Sequence, residues 1–215
     1  MQRLRIKFCR GEEVKFISHL DIVRLWQRAL RRAGIALAYS EGFSPHPQIS
    51  LAAPLPVGVT SEAEFADILC IKQISPHFFT RAVSLKLPGG IEIVQVYPIP
   101  PSMPSLQSQM SYTEYKVEVE TEIEQKDIES AFRRLLSLDH LPWQHQRDTG
   151  PHKYDLRRLI DDLWLIGYHH PCVTIGMRLR CDSTGSGRPE QVTAALGFTE
   201  QPRSIHRTRL ILKTR

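Results

Sequence analysis

Residues 97–111 read YPIPPSMPSLQSQMS, and no other stretch constrains the fold as tightly. Pro98, Pro100, Pro101 and Pro104 remove backbone donors and favour extended geometry, so no helix can run through them. The Ser/Gln tail offers little to bury. This predicts a Pro/Ser-rich linker, 98–111, between a first domain at 1–97 and a second at 112–215. At 215 residues and 41% hydrophobic, the chain is long enough for two small cores.

Each side of the linker repeats one order of elements. On the first side LRIKF (4–8) alternates as a strand, and SHLDIVRLWQRALRRAG reads as a helix. Ser18 is placed to cap that helix, Asp21 sits in the capping-box position, and Gly34 stops it. QISLAAPL (48–55) and EFADILCIK (64–72) read as strands, SPHFFTRAVSLKL (75–87) as a helix and GIEIVQVYP (90–98) as a strand. On the second side YKVEVE (115–120) puts Tyr115, Val117 and Val119 on one face. A helix over 125–138 follows, then strand and loop material in PWQHQR and KYDLRRLIDDLWLIG. CVTIGMRLRC (172–181) alternates, 188–198 is a short helix and SIHRTRLILK (204–213) a last strand. The expected fold is α+β, a tandem ferredoxin-like arrangement (β-α-β-β-α-β twice) with antiparallel sheets.

Charge is distributed unevenly around a net +5. Residues 1–35 carry nine Lys/Arg against three acids, whereas 114–129 carry seven acids against two bases. Residues 203–215 hold five bases and no acid, and Arg207, Arg209 and Lys213 are evenly spaced as if on one strand face. Nothing approaches the roughly 18 apolar residues of a membrane span, and the N-terminal residues lack the apolar run of a secretory signal. Cys9, Cys70, Cys172 and Cys181 are scattered without a CxxC, which favours a reduced, cytoplasmic protein.

The first helix carries the sharpest functional signal. Ile22, Trp26, Ala29, Leu30 and Ala33 share one face, and Arg24, Arg28, Arg31 and Arg32 share the opposite one. Such a stripe is either a solvated face or a grip on phosphates, and no acid at i,i+4 relieves it. It leads into Tyr39 and GFSPHPQISLAAPLPVG (42–58), where Pro45 and Pro47 restrict His46. Tyr39, His46 and Gln48 are therefore candidate RNA contacts beside the four arginines, the alternative being a structural loop. Ser18 and His19 at the helix start could receive an anion, although capping alone explains Ser18.

Catalytic and metal signals are weak. His169 and His170 are adjacent, so on a strand they point to opposite faces and cannot ligate jointly. No Ser/His/Asp order, HExxH or Gly-rich phosphate loop occurs, and no metal or other cofactor is expected.

FISHLDIVRLWQRALRRAGIALAYSEGFSPHPQISLAAPLPVGVTSEAEFADI resembles the uncharacterised radical-SAM-linked domain family. Its members carry SHLD, RAxRRAG, YSEGF, a PHPxIS segment and an LPVG turn. KYDLRRLI, GRPEQV and HRTRLIL are similar to the family's second-half segments. The resemblance implies a free-standing form of a domain otherwise fused to, or encoded beside, a B12-binding-type radical SAM protein. The chain lacks CxxxCxxC and so cannot hold the radical SAM cluster itself.

The expected function is therefore a non-catalytic accessory protein that binds rRNA or tRNA and partners a radical SAM enzyme. The alternative is a docking module in which the acidic stretch Glu114–Glu129 and the PHP loop meet that enzyme without nucleic acid. A metal-independent ribonuclease using His46 and His19 is the remotest reading.

Overall fold

Leu4, Ile6 and Phe8 alternate along the first strand and are all buried, which fixes the inner face of the first sheet. The computed structural model describes residues 1–147 and 150–213. The chain divides into two units, residues 1–110 with Lys213, and residues 111–212. Both are mixed α+β.

The first unit runs β1 (Gln2–Arg10), α1 (His19–Arg32), β2 (Ile49–Leu51), β3 (Thr60–Cys70), α2 (Pro76–Ser84) and β4 (Ile91–Ile99). Its strands lie in the order β4-β1-β3-β2, each neighbouring pair antiparallel. Ile6 of β1 faces Ala66 of β3 on one side and Val96 of β4 on the other. Over this sheet α1 buries Ile22, Trp26, Ala29 and Leu30, and α2 buries Phe79 and Val83. Trp26 meets Phe8 edge-on at 5.0 Å, a contact worth about 0.5–1.5 kcal/mol beyond the area it buries.

Local signals set the helix ends. The Asp21 N–H donates to Ser18 Oγ at 3.2 Å, and the Ser18 hydroxyl donates to the Asp21 carboxylate at 2.7 Å. Gly34, at φ +72°, takes the left-handed conformation that ends α1. On α2, Ser75 accepts from the Phe78 N–H and Pro76 opens the first turn.

One expected strand of this unit needs correction. The strand read at 48–55 shrinks to Ile49–Leu51, because Pro54 and Pro56 cannot donate to a ladder. The Pro/Ser stretch is also held in place. Leu106 is fully buried, and Gln107 Nε2 donates to the Leu51 carbonyl at 2.6 Å. Arg3 donates to the carbonyls of Met103 and Pro104, and Arg5 to Gln109 Oε1. A buried leucine and side-chain amides that satisfy backbone carbonyls anchor what composition alone presents as a tether.

The second unit runs β5 (Met110–Glu120), α3 (Gln125–Leu136), β6 (Pro142–Arg147), β7 (Gly150–Asp155), β8 (Ile160–His169), β9 (Cys172–Asp182), β10 (Gly185–Ser186), α4 (Pro189–Ala195) and β11 (Ser204–Leu212). β9 pairs antiparallel with β5, β8 and β10, and β11 lies beside β5. Tyr115, Val117 and Val119 of β5 are buried, as are Ile128, Phe132 and Leu135 of α3. Among the described residues β6 and β7 pair with each other alone, as a two-stranded ribbon. Gly176 of β9 faces Trp164 of β8, and a Cβ there would fall 2.0 Å from the indole, so the ring occupies the space of the missing side chain.

The last strand departs from its expected pattern. Arg207 is buried, donates to the Tyr115 hydroxyl at 3.1 Å and lies over the Tyr115 ring, whereas Arg209 is exposed. The two do not share a solvent face. Arg215, counted in the basic C-terminal stretch, lies outside the described residues.

Candidate nucleic-acid interface

The core-facing stripe of α1 dictates its outer face. With Ile22, Trp26, Ala29 and Leu30 turned inward, Arg24, Arg28, Arg31 and Arg32 are all exposed. The stripe is not wholly free of acid, as its i,i+4 spacing implies. Arg24 donates to the Asp21 carboxylate at 3.1 Å across i,i+3. The Ser18 hydroxyl, and after it Arg24, hold that carboxyl below the usual carboxylate range. Among the described residues no acid lies within ion-pair distance of Arg28, Arg31 or Arg32. Arg31 and Arg32 occupy the last turn, where the helix dipole favours cations, and Arg28 has no such explanation.

After α1 the chain folds into a narrow hairpin. The Ser40 N–H donates to the His46 carbonyl at 2.9 Å, the Gln48 N–H to the Ala38 carbonyl at 2.8 Å, and Tyr39 bridges to Pro47. The hairpin is tied to β3, where the Ala38 N–H donates to the Leu69 carbonyl and the Leu69 N–H to the Gln48 carbonyl. Prolines can occupy this ladder because it is an edge and the His46 N–H between them is met by Ser40 Oγ at 3.0 Å. The His46 ring stays exposed. So do Tyr39, at 54%, and Phe43, whose ring is fully exposed at the tip.

Phe43 is the site residue that sequence reading passes over. Its signal is an aromatic side chain between Gly42 and Ser44-Pro45 with no apolar neighbour to pack on. Gln48 serves partly as scaffold, its amide donating to the Tyr39 carbonyl at 3.3 Å. It also lines a cleft of about 360 Å³ with Arg3, Ile49, Ser50, Asp67, Leu69, Pro101 and Ser105. One wall of that cleft is a buried ion cluster. Arg5 makes a forked pair with Asp67 at 2.7 and 2.9 Å, and Arg3 adds a third bond at 2.7 Å. Burial opposes the Arg5 charge, but the bonds to Asp67 outweigh it and raise its pKa.

The helix-start candidates fare differently. The Ser18 hydroxyl is occupied by Asp21 on both its donor and acceptor sides, so capping accounts for it. His19 is half-buried, and burial, then the Arg10 charge, push its pKa below the ordinary value. A neutral imidazole is a poor anion receptor. Among the described residues no hydrogen bond joins His19 to His46, which the acid–base pairing would require.

The acidic stretch is largely paired. Glu114 binds Arg178 at 2.9 Å, Glu118 Lys116, Glu120 Arg203, Glu122 His170 and Glu124 Lys126. Among the described residues no group of three or more His, Cys, Asp or Glu is placed to hold a metal ion. No described helix is long and apolar enough to cross a membrane. Among the described residues no disulfide joins any of the four cysteines.

Residues 3–189 match the family model of uncharacterized proteins conserved in bacteria, DUF2344. The chain belongs to that family. No curated protein matches this DUF2344 member. Among solved structures it is similar to a chain of a Cbf5-Nop10-Gar1 complex, with a TM-score of 0.56 and 9% identity over 96% of this chain and 48% of the other. It is also similar to a chain of the archaeal box H/ACA sRNP Nop10-Cbf5 complex, with a TM-score of 0.51 and 11% identity over 97% and 48%. The DUF2344 chain thus spans about half the length of these neighbours, and at such identities the likeness shows fold alone.

Proposed function

We propose that this protein is a non-catalytic accessory protein that binds RNA, of the rRNA or tRNA class, through the outer face of α1 and the Tyr39–Gln48 hairpin. One observation carries the reading: Arg28, Arg31 and Arg32 stand exposed together without an acidic partner among the described residues. Guanidinium forks suit phosphate oxygens, and the exposed rings of Tyr39, Phe43 and His46 suit unpaired bases. The fold likeness to chains of a Cbf5-Nop10-Gar1 complex and of an archaeal box H/ACA sRNP lends support.

Two finer parts of the reading have their own support. The ferredoxin-like description of each unit is supported by strand orders β4-β1-β3-β2 and β11-β5-β9-β8. The radical SAM partner rests on the resemblance of the SHLD…PHP segment. Co-purification from a nuclease-treated lysate tests it: a partner recovered only before nuclease treatment is bridged by RNA, and none in either case removes the partnership.

The RNA reading is tested by total-RNA binding at two salt concentrations, beside an Arg28→Glu/Arg31→Glu variant. Binding should weaken steeply with salt, each lost single-strand phosphate contact lowering the log–log slope by about 0.7. Wild-type protein that is folded and binds no RNA at low salt overturns the reading.

A further inference from the structure

The β6–β7 ribbon puts four ring side chains on one face. Trp143 lies opposite Tyr154, and His145 opposite His152, while Gln144 and Lys153 take the other face. The inner rung is anchored, since the Tyr154 hydroxyl donates to Gln191 Oε1 of α4 at 2.5 Å. The outer rung is not. His152 is exposed and tilts against the Tyr154 ring at 5.4 Å, and the exposed Arg188 sits 3.4 Å from His145 Nε2.

Packing explains Trp143 and Tyr154, an aromatic cross-strand pair of the kind that stabilises hairpins. It does not explain the rest. Two imidazoles lie directly across the ladder, with a guanidinium rather than an acid beside His145. Among the described residues no acid lies within ion-pair distance of His145, His152 or Arg188. Asp155, at the base of the ribbon, is on the opposite face and is engaged by His140 and Arg158. Arg188 donates to His145 Nε2 at 3.4 Å and stays exposed, with its remaining N–H groups free to meet an anion beside the His152 and Tyr154 rings.

We infer that this ribbon face is a second RNA contact, in which Arg188 and the His145–His152 rung hold a backbone phosphate of a single strand while the His152 and Tyr154 rings take an adjacent base. An open platform suits a strand that continues past it, because stacking tolerates any base and the phosphate grip reads none. Duplex RNA is disfavoured, since its bases are not free to stack on the rings. This rests on the RNA-binding reading above but uses none of its residues.

The test measures anisotropy of a labelled oligouridylate with the full chain and three variants: His152→Ala, Arg188→Ala, and Arg28→Glu/Arg31→Glu. Both ribbon residues are exposed, and a melting curve for each variant confirms the fold. The expected result is a loss of affinity of about 5- to 10-fold for each ribbon variant, with a duplex of equal length binding more weakly. Ribbon variants that bind like wild type while the α1 variant fails overturn this inference and leave the α1 site standing. The reverse pattern upholds the ribbon and removes the α1 site. No binding by the wild type removes both. Free uridine monophosphate that competes as well as the oligomer, mole for mole, makes the ribbon a nucleotide site and overturns the strand assignment.

Discussion

Ser40 holds both backbone polar groups of His46: its N–H donates to the His46 carbonyl at 2.9 Å and its Oγ accepts from the His46 N–H at 3.0 Å. The flanking prolines restrict the backbone, and this double contact fixes its register, leaving the imidazole exposed on a rigid neck. Ser40→Ala should cost only about 0.5–1.5 kcal/mol and speed amide exchange at His46 before any global change. Unchanged exchange at that amide would mean the prolines suffice.

Phe43 separates binding from packing. Its ring touches solvent on all sides, so Phe43→Ala should leave stability within about 0.5 kcal/mol while weakening single-stranded RNA binding by about 1–3 kcal/mol. Denaturant melts and a binding titration on one preparation give both numbers. A drop in stability without a drop in affinity would assign the ring to folding.

Asp67 should be the most sensitive acid of the first unit. Removing it in Asp67→Ala strands the buried Arg5 guanidinium and takes one partner from Arg3. The expected loss is about 3–5 kcal/mol in urea unfolding. A loss below about 1 kcal/mol would show that water or backbone carbonyls take over.

His19 gives a pH dependence with a definite sign. Its folded pKa lies below the ordinary value of about 6.5, so the unfolded chain takes the proton first. Its contribution is complete above about pH 6.5 and is lost as the pH falls from there towards the folded value. Melting temperature should therefore decline between about pH 7 and pH 5, and His19→Gln should flatten that decline. An equal slope in the variant would place the effect elsewhere.

What the sequence made legible follows from the range of the forces involved. α1 shows itself because its stripe, its Ser18 cap and its Gly34 stop are all local. The strands of alternating residues, such as Tyr115, Val117 and Val119, show themselves for the same reason. Arg207 does not, because its burial depends on Tyr115, 92 residues away. β8 is legible only as unplaced strand material in KYDLRRLIDDLWLIG, because what places it, Trp164 packing over the missing side chain of Gly176, is a relation between strands. At the site, the arginine face is legible from helical periodicity, whereas the exposure of Phe43 and the ribbon's ring pairs emerge only once register is known.

The anchoring of residues 100–109 bears on where this chain can be cut. A fragment that stops at Tyr97 discards Leu106, the carbonyls that receive Arg3, and the amide that meets the Leu51 carbonyl. It would leave the Arg3 donors without those carbonyls beside the Arg5–Asp67 pair. One that stops at Gln109 retains each of these partners. Limited proteolysis should reflect this, with the proline-rich stretch resisting cleavage that its composition would invite.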